Sequence, residues 1–177
     1  MSFARGPGKV GLYDPANEKD SCGVGFVAHL KGRASHDIVR SGLAVLENMS
    51  HRGACGCEPN TGDGAGLLVA MPDPFLRVVA QRELAHELPP PGRWASGIIF
   101  LPTDRRDRQI CKGIFERYVQ VQGQRLIGWR VVPTAPDTAK IGPTARAGMP
   151  VMEMVFIGAA AGLDADAFER QLYLIRK

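Results

Sequence analysis

The sequence predicts an α+β fold in which strands and helices interleave along the whole chain. Short apolar runs of strand length recur at 22–31, 66–72, 95–102, 125–134 and 150–159. Between several of them lie segments with apolar residues at helical spacing, set off by turn-forming clusters of Gly and Pro. The composition is that of a globular domain, with 45% hydrophobic and 23% charged residues. A length of 177 residues suits one domain with a substantial core.

Each element has a local reason. CGVGFVAHLK (22–31) is an apolar run bounded by KGR and reads as a buried strand. In the helix that follows, Ser35 can cap and Asp37 favours the first turn. Ile38, Gly42, Val45, Leu46 and Met49 then recur on one side. Gly42 costs about 1 kcal/mol against alanine in a helix interior, which points to a close packing approach there. HRGACGCEPNTGDGAG (51–66) is a loop with five glycines and one proline. GLLVAMP (66–72) reads as a second strand. DPFLRVVAQRELAHEL (73–88) reads as a helix with Pro74 at its first position, where the missing N–H is harmless.

PPPGR (89–93) breaks the chain before the strand at 95–102. Residues 103–122 form an amphipathic helix with Thr103 as cap, in which Ile110, Ile114 and Tyr118 align beside Cys111, Phe115 and Val119. Strands at 125–134 and 150–159 enclose a loop rich in Pro, Thr and Gly. The last helix, 163–177, has Asp164 as cap and Phe168, Leu172 and Ile175 on one face.

The leader, residues 1–21, is rich in Gly, Pro and charge and should not pack by itself. It has no apolar core of signal-peptide length, and the chain has no apolar run near the 18 residues that a membrane span needs. A formal charge of +4 does not argue for nucleic acid as partner. Four cysteines, Cys22, Cys55, Cys57 and Cys111, have neither zinc-ribbon nor thioredoxin spacing, and a reduced, cytoplasmic setting is the default.

Three constellations bear on chemistry. The first is Cys22 with His51, Arg52 and Gly53. Cleavage between Ser21 and Cys22 would place a free α-amine on the thiol's own residue. The amine's reference pKa of about 7.7–8.0 and the thiol's of about 8.5 match for proton transfer near neutral pH. Arg52 could then stabilise anionic species. The same residues also read as a packed core thiol and a loop arginine. The second is the Cys55-Gly56-Cys57 stretch with His51, which offers metal-binding side chains in a weak pattern and reads equally as a loop with small cysteines. The third is a basic face at Arg105, Arg106, Arg108, Lys112 and Arg117. It is interleaved with Asp104, Asp107 and Glu116 and lacks a stacking platform, so it reads as a solvated face. His29, His36 and His86 read as surface or strand-end residues.

NEKDSCGVGFVAHLKG followed by LENMSHRGACGCEPNTGDGAGLLVAMP resembles the N-terminal region of glutamate synthase large subunits, a class II glutamine amidotransferase domain of the N-terminal-nucleophile hydrolase type. The resemblance runs from about Gly11 to Lys177. It implies a partial four-layer αββα sandwich with antiparallel sheets. Residues 1–21 would be a propeptide and 22–177 the front part of the amidotransferase domain. Cys22 would be the nucleophile, with its α-amine as base after cleavage. Arg52 and Gly53 would shape the pocket, Asp63 would serve the loop structurally, and no metal would be held.

The substrate implied is L-glutamine, whose ammonia would aminate 2-oxoglutarate. The resemblance places FMN, iron–sulfur clusters, a small subunit or other electron donor, and further synthase domains in the complete enzyme, with no cofactor in this segment. No membrane or nucleic acid is implied. The family draws oxyanion donors from an Asn-Gly pair, yet Asn17, Asn48 and Asn60 are all followed by other residues. That departure, with the family's later substrate α-group residues, predicts a fragment inactive by itself. The TGDGAG stretch favours glutamate synthase over the amidotransferase of another synthase. A metal- or redox-binding module built on Cys55 and Cys57 is the alternative from another class.

Overall fold

The computed structural model describes residues 9, 11, 14, 23–49, 58, 61–62 and 64–177. Its elements are α1 (His36–Asn48), α2 (Asp73–Leu84), β1 (Trp94–Leu101), α3 (Arg105–Val121), β2 (Arg125–Val131), α4 (Pro136–Ala139), α5 (Pro143–Ala147), β3 (Val151–Gly158) and α6 (Ala165–Arg176). The mixture of helices and antiparallel sheet agrees with the expected class. The chain divides into two compact units. One comprises residues 1–70 with 137–147, and the other comprises 71–136 with 148–177.

The second unit is a three-stranded sheet in the order β1-β3-β2 with helices on both faces. Both pairs are antiparallel: Trp94 lies opposite Gly158 and Leu101 opposite Val151, while Arg125 shares Gly158 and Val131 shares Glu153. β1 and β2 are therefore parallel with β3 between them, a split β-α-β arrangement. Side chains alternate across β3. Phe156 and Met154 join Leu76 and Ala80 of α2, Trp94, Ile127 and Leu88 on one face. Val155 and Ile157 join Phe115 and Val119 of α3 and Phe168 and Ile175 of α6 on the other.

A bulge between Leu126 and Gly128 inserts Ile127 into this first core. Gly128 follows it beneath α2, where a Cβ would come 3.2 Å from Leu84 Cδ1. Polar ties close the layers. The Asp73 carboxylate accepts from Arg77 Nε at 2.7 Å and from Trp94 Nε1 at 3.1 Å. Arg77 first, then Trp94, holds that carboxyl below its ordinary range. Lys112 donates to the buried Glu153 at 2.6 Å and lies 4.7 Å from the Trp129 ring centre.

Several expectations need correction. Asp104, not Thr103, caps α3, accepting from the backbone N–H of Arg106 at 2.8 Å and of Asp107 at 2.9 Å. Ser35 sits at the N-cap of α1 in extended conformation but makes no side-chain cap bond. α2 stops at Leu84 because Ala85 turns left-handed (φ 52°), which frees Leu88 to enter the core. Of the two apolar files on α3, Phe115 and Val119 face the sheet, while Ile110, Ile114 and Tyr118 stay half exposed. Lys112 is built into the sheet face and is not part of a solvated stripe. The loop after β2 contains α4 and α5.

The runs at 22–31 and 66–72 join no ladder over their described residues. A strand exists through its partner's hydrogen bonds, and no described segment supplies them. Asp164 caps α6 as expected, accepting from Ala167 N–H at 2.7 Å, with Phe168 and Ile175 buried.

Candidate functional site

Cys22, Arg52, Gly53 and Asp63 lie outside the described residues, as do His51, Cys55 and Cys57. The structure describes the frame to which they are covalently joined: the segment from Gly23 onward, α1, Glu58, Thr61 and the segment from Gly64 to Ala70.

Two segments without regular secondary structure lie on α1. A Cβ on Gly25 would come 2.8 Å from Val45 Cγ1, and one on Gly42 would come 3.1 Å from Leu67 Cδ2. The glycine in mid-helix thus admits a leucine from the segment crossing it, as its helix cost had suggested. Their other faces are open. Val24 is 93% exposed, Phe26 92% and Leu68 fully. A trough of about 470 Å³ runs between the segments and α1, lined by residues such as Val24, Phe26, Val45, Met49 and Leu67. Its lining residues are all apolar.

A polar clasp lies in the same unit. The Glu58 carboxylate accepts from Thr144 N–H at 2.8 Å, Ala145 N–H at 3.5 Å and the Thr61 hydroxyl at 3.2 Å. The Thr61 hydroxyl oxygen in turn accepts from Gly142 N–H at 3.1 Å. The Thr144 amide is the main reason that the Glu58 carboxyl sits below its ordinary range, against a smaller effect of desolvation. Sequence reasoning missed this group. Gly142-Pro143-Thr144 carries a helix-start signal, with Pro143 first in α5, but nothing local pairs it with a glutamate 86 residues earlier.

Among the described residues, no three His, Cys, Asp or Glu side chains gather as a metal site. No helix among them is long and apolar enough to cross a membrane. His29 turns its Nδ1 to its own loop, accepting from Lys31 N–H at 3.1 Å. His86 lies beside the Leu84 carbonyl at 2.9 Å. Cys111 is a free, exposed thiol on α3.

Comparison with known proteins places this frame. The family model of class-II glutamine amidotransferases matches residues 22–177. The NADPH glutamate synthase large chain of Bacillus subtilis is 42% identical over 178 residues, covering 100% of this chain and 11% of that protein. The NADH glutamate synthase of Schizosaccharomyces pombe is 39% identical over 184 residues, covering 97% of this chain and 8% of that protein. The ferredoxin-dependent glutamate synthase 1 of Arabidopsis thaliana is 36% identical over 173 residues, covering 97% and 10%. The chain thus spans about a tenth of the length of these relatives.

Proposed function

The chain belongs to the class-II glutamine amidotransferases, and from that premise we propose that it carries the nucleophile of a glutaminase site in a glutamate synthase. One observation carries this reading: the family match begins at residue 22, at Cys22 itself. That start supports a division into a propeptide, 1–21, and an amidotransferase segment, 22–177.

After cleavage the Cys22 α-amine takes the thiol proton. The thiolate attacks the side-chain carbonyl carbon of L-glutamine, giving a tetrahedral oxyanion. The ammonium on the same residue returns the proton to the leaving nitrogen as the C–N bond breaks. Ammonia leaves and a γ-glutamyl thioester remains. Water, deprotonated by the same amine, adds to the thioester. Glutamate leaves and the thiol is restored. Arg52 and Gly53 shape the pocket, and Asp63 supports its loop. A cytoplasmic setting is part of this reading, since four cysteines without disulfide or zinc spacing suit a reduced compartment.

In the complete enzyme the ammonia would serve reductive amination of 2-oxoglutarate to L-glutamate by the remaining synthase domains and an electron donor. FMN and iron–sulfur clusters belong to those domains. Cluster ligation takes four cysteines as a rule. Here Cys22 is the nucleophile and Cys111 lies on α3, so no residue of this chain is assigned to a cofactor. The four-layer sandwich is supported by the two segments on α1, whose apolar outer faces suit an inner layer between sheets.

The reading is tested in the complete synthase with a glutamine analogue that bears a chloroketone in place of the amide. The expected product is a single adduct on Cys22, prevented by L-glutamine, with loss of glutamine-dependent but not ammonia-dependent turnover. An adduct on Cys111, or labelling that glutamine does not slow, would overturn it.

A further inference from the structure

We propose that the outer face of α3, with the end of α6, is a docking surface for an acidic amphipathic helix supplied by the rest of the complete synthase. The inference goes beyond the glutaminase reading. It rests on the chain being one part of a longer enzyme, about a tenth of the length of its relatives. α3 carries two apolar files. Phe115 and Val119 are used on the sheet. Ile110, Ile114 and Tyr118 recur four residues apart, and each is about half exposed. Val121, also exposed, continues that file. From Ile110 to Val121 the file runs about 16 Å along the axis, the length of about three turns of a second helix. Beside it lies a groove of about 350 Å³, lined by Cys111, Ile114, Tyr118, Ile175 and Arg176.

Charge selects the occupant. Arg106 lies one turn before Ile110 and Arg117 three residues after Ile114, on the same side of the helix. Arg176 borders the groove 5.5 Å from the Tyr173 ring centre, and Lys177 lies 5.8 Å from the same ring. None of these four cations pairs with a carboxylate among the described residues. Against them, Asp107 is the carboxylate on this side of α3. A second copy of the chain would set cations against cations, which like-charge repulsion opposes. A nucleic-acid backbone would meet the cations and leave the isoleucine file in water. A helix with apolar residues at helical spacing and flanking Asp or Glu answers both. Carried on the same polypeptide, it is present at high effective concentration.

The test uses the complete synthase with Tyr118→p-benzoylphenylalanine, a photo-crosslinking aromatic at a half-exposed position. The expected cross-link joins Tyr118 to a peptide of the same polypeptide outside residues 1–177, net negative and with apolar residues at helical spacing. A second measurement is the rate at which N-ethylmaleimide modifies Cys111, which is exposed within its own unit and which a docked helix would cover. In native synthase that rate should be at least about 10-fold below the rate in urea. Arg106→Glu combined with Arg117→Glu should raise the native rate by about 3- to 10-fold, by removing rim ion pairs.

A cross-link to residues 1–177 of either copy, to a separate subunit or to a basic or uncharged segment would overturn the proposal, as would none at all. Cys111 modified as fast in native synthase as in urea would also overturn it, and this measurement decides if the Tyr118 variant does not accumulate. Chloroketone labelling of Cys22 bears on the glutaminase reading alone, so the two can fail separately.

Discussion

Replacing Cys22 with alanine is expected to abolish glutamine-dependent synthesis in the complete enzyme and leave ammonia-dependent synthesis intact. Amide carbon is a poor electrophile, and its hydrolysis near neutral pH depends on a positioned nucleophile. Removing a catalytic nucleophile from a comparable acyl-transfer site costs on the order of 10⁶ in turnover. An alanine at the new N-terminus would keep the α-amine, so the base survives without a thiol to activate. Ammonia supplied in solution bypasses the site. The measurement is the ratio of the two activities in one preparation, which also controls for folding. Persistent glutamine-dependent turnover would exclude Cys22 as the nucleophile.

Replacing Phe156 with alanine is expected to destabilise the sheet unit by about 3–5 kcal/mol. Phe156 is fully buried at the centre of β3, stacks on Trp94 with ring centres 6.1 Å apart, and packs beneath α2. Deleting the ring removes its transfer free energy and leaves a cavity that α2 and a bulged strand cannot readily close. Against a typical domain stability of about 5–15 kcal/mol, that is a large fraction. Urea denaturation should show a lower midpoint with an unchanged slope. Phe26→Ala in the same 177-residue chain should shift stability by no more than about 0.5 kcal/mol, because Phe26 is 92% exposed. Equal effects at the two positions would contradict the core assignment.

These two phenylalanines also show what could be read from sequence. Both lie in apolar runs of strand length. For β3 the run was enough, because β1 and β2 supply the ladder on both sides. At 22–31 the run predicts a buried strand, whereas residues 23–31 form no strand and are exposed. No described partner completes the hydrogen bonds there. Helix positions were legible in part from local signals. Asp164 caps α6, and Gly42 meets Leu67 as its placement in mid-helix suggested. Thr103 and Asp104 are both competent caps, and their one-residue difference is settled because the Asp104 carboxylate reaches two amides.

The proposed site divides in the same way. Cys22 and the Arg52-Gly53 pair could be proposed from sequence because they form a motif. The Glu58 clasp could not, because its partners are the amides of Thr144 and Ala145, and neither loop announces the other. Chemistry carried by adjacent residues can be read from a sequence. A carboxylate held by distant backbone amides needs the fold.

The central claim is that Cys22 works as an N-terminal residue, and the mass of the mature chain in the active synthase tests it most directly. The expected result is a chain lacking residues 1–21, with an N-terminal peptide that begins at Cys22 and carries a free α-amine. An active enzyme whose mature chain still bears Ser21 would contradict it, since the thiol would then have no amine on its own residue to take its proton.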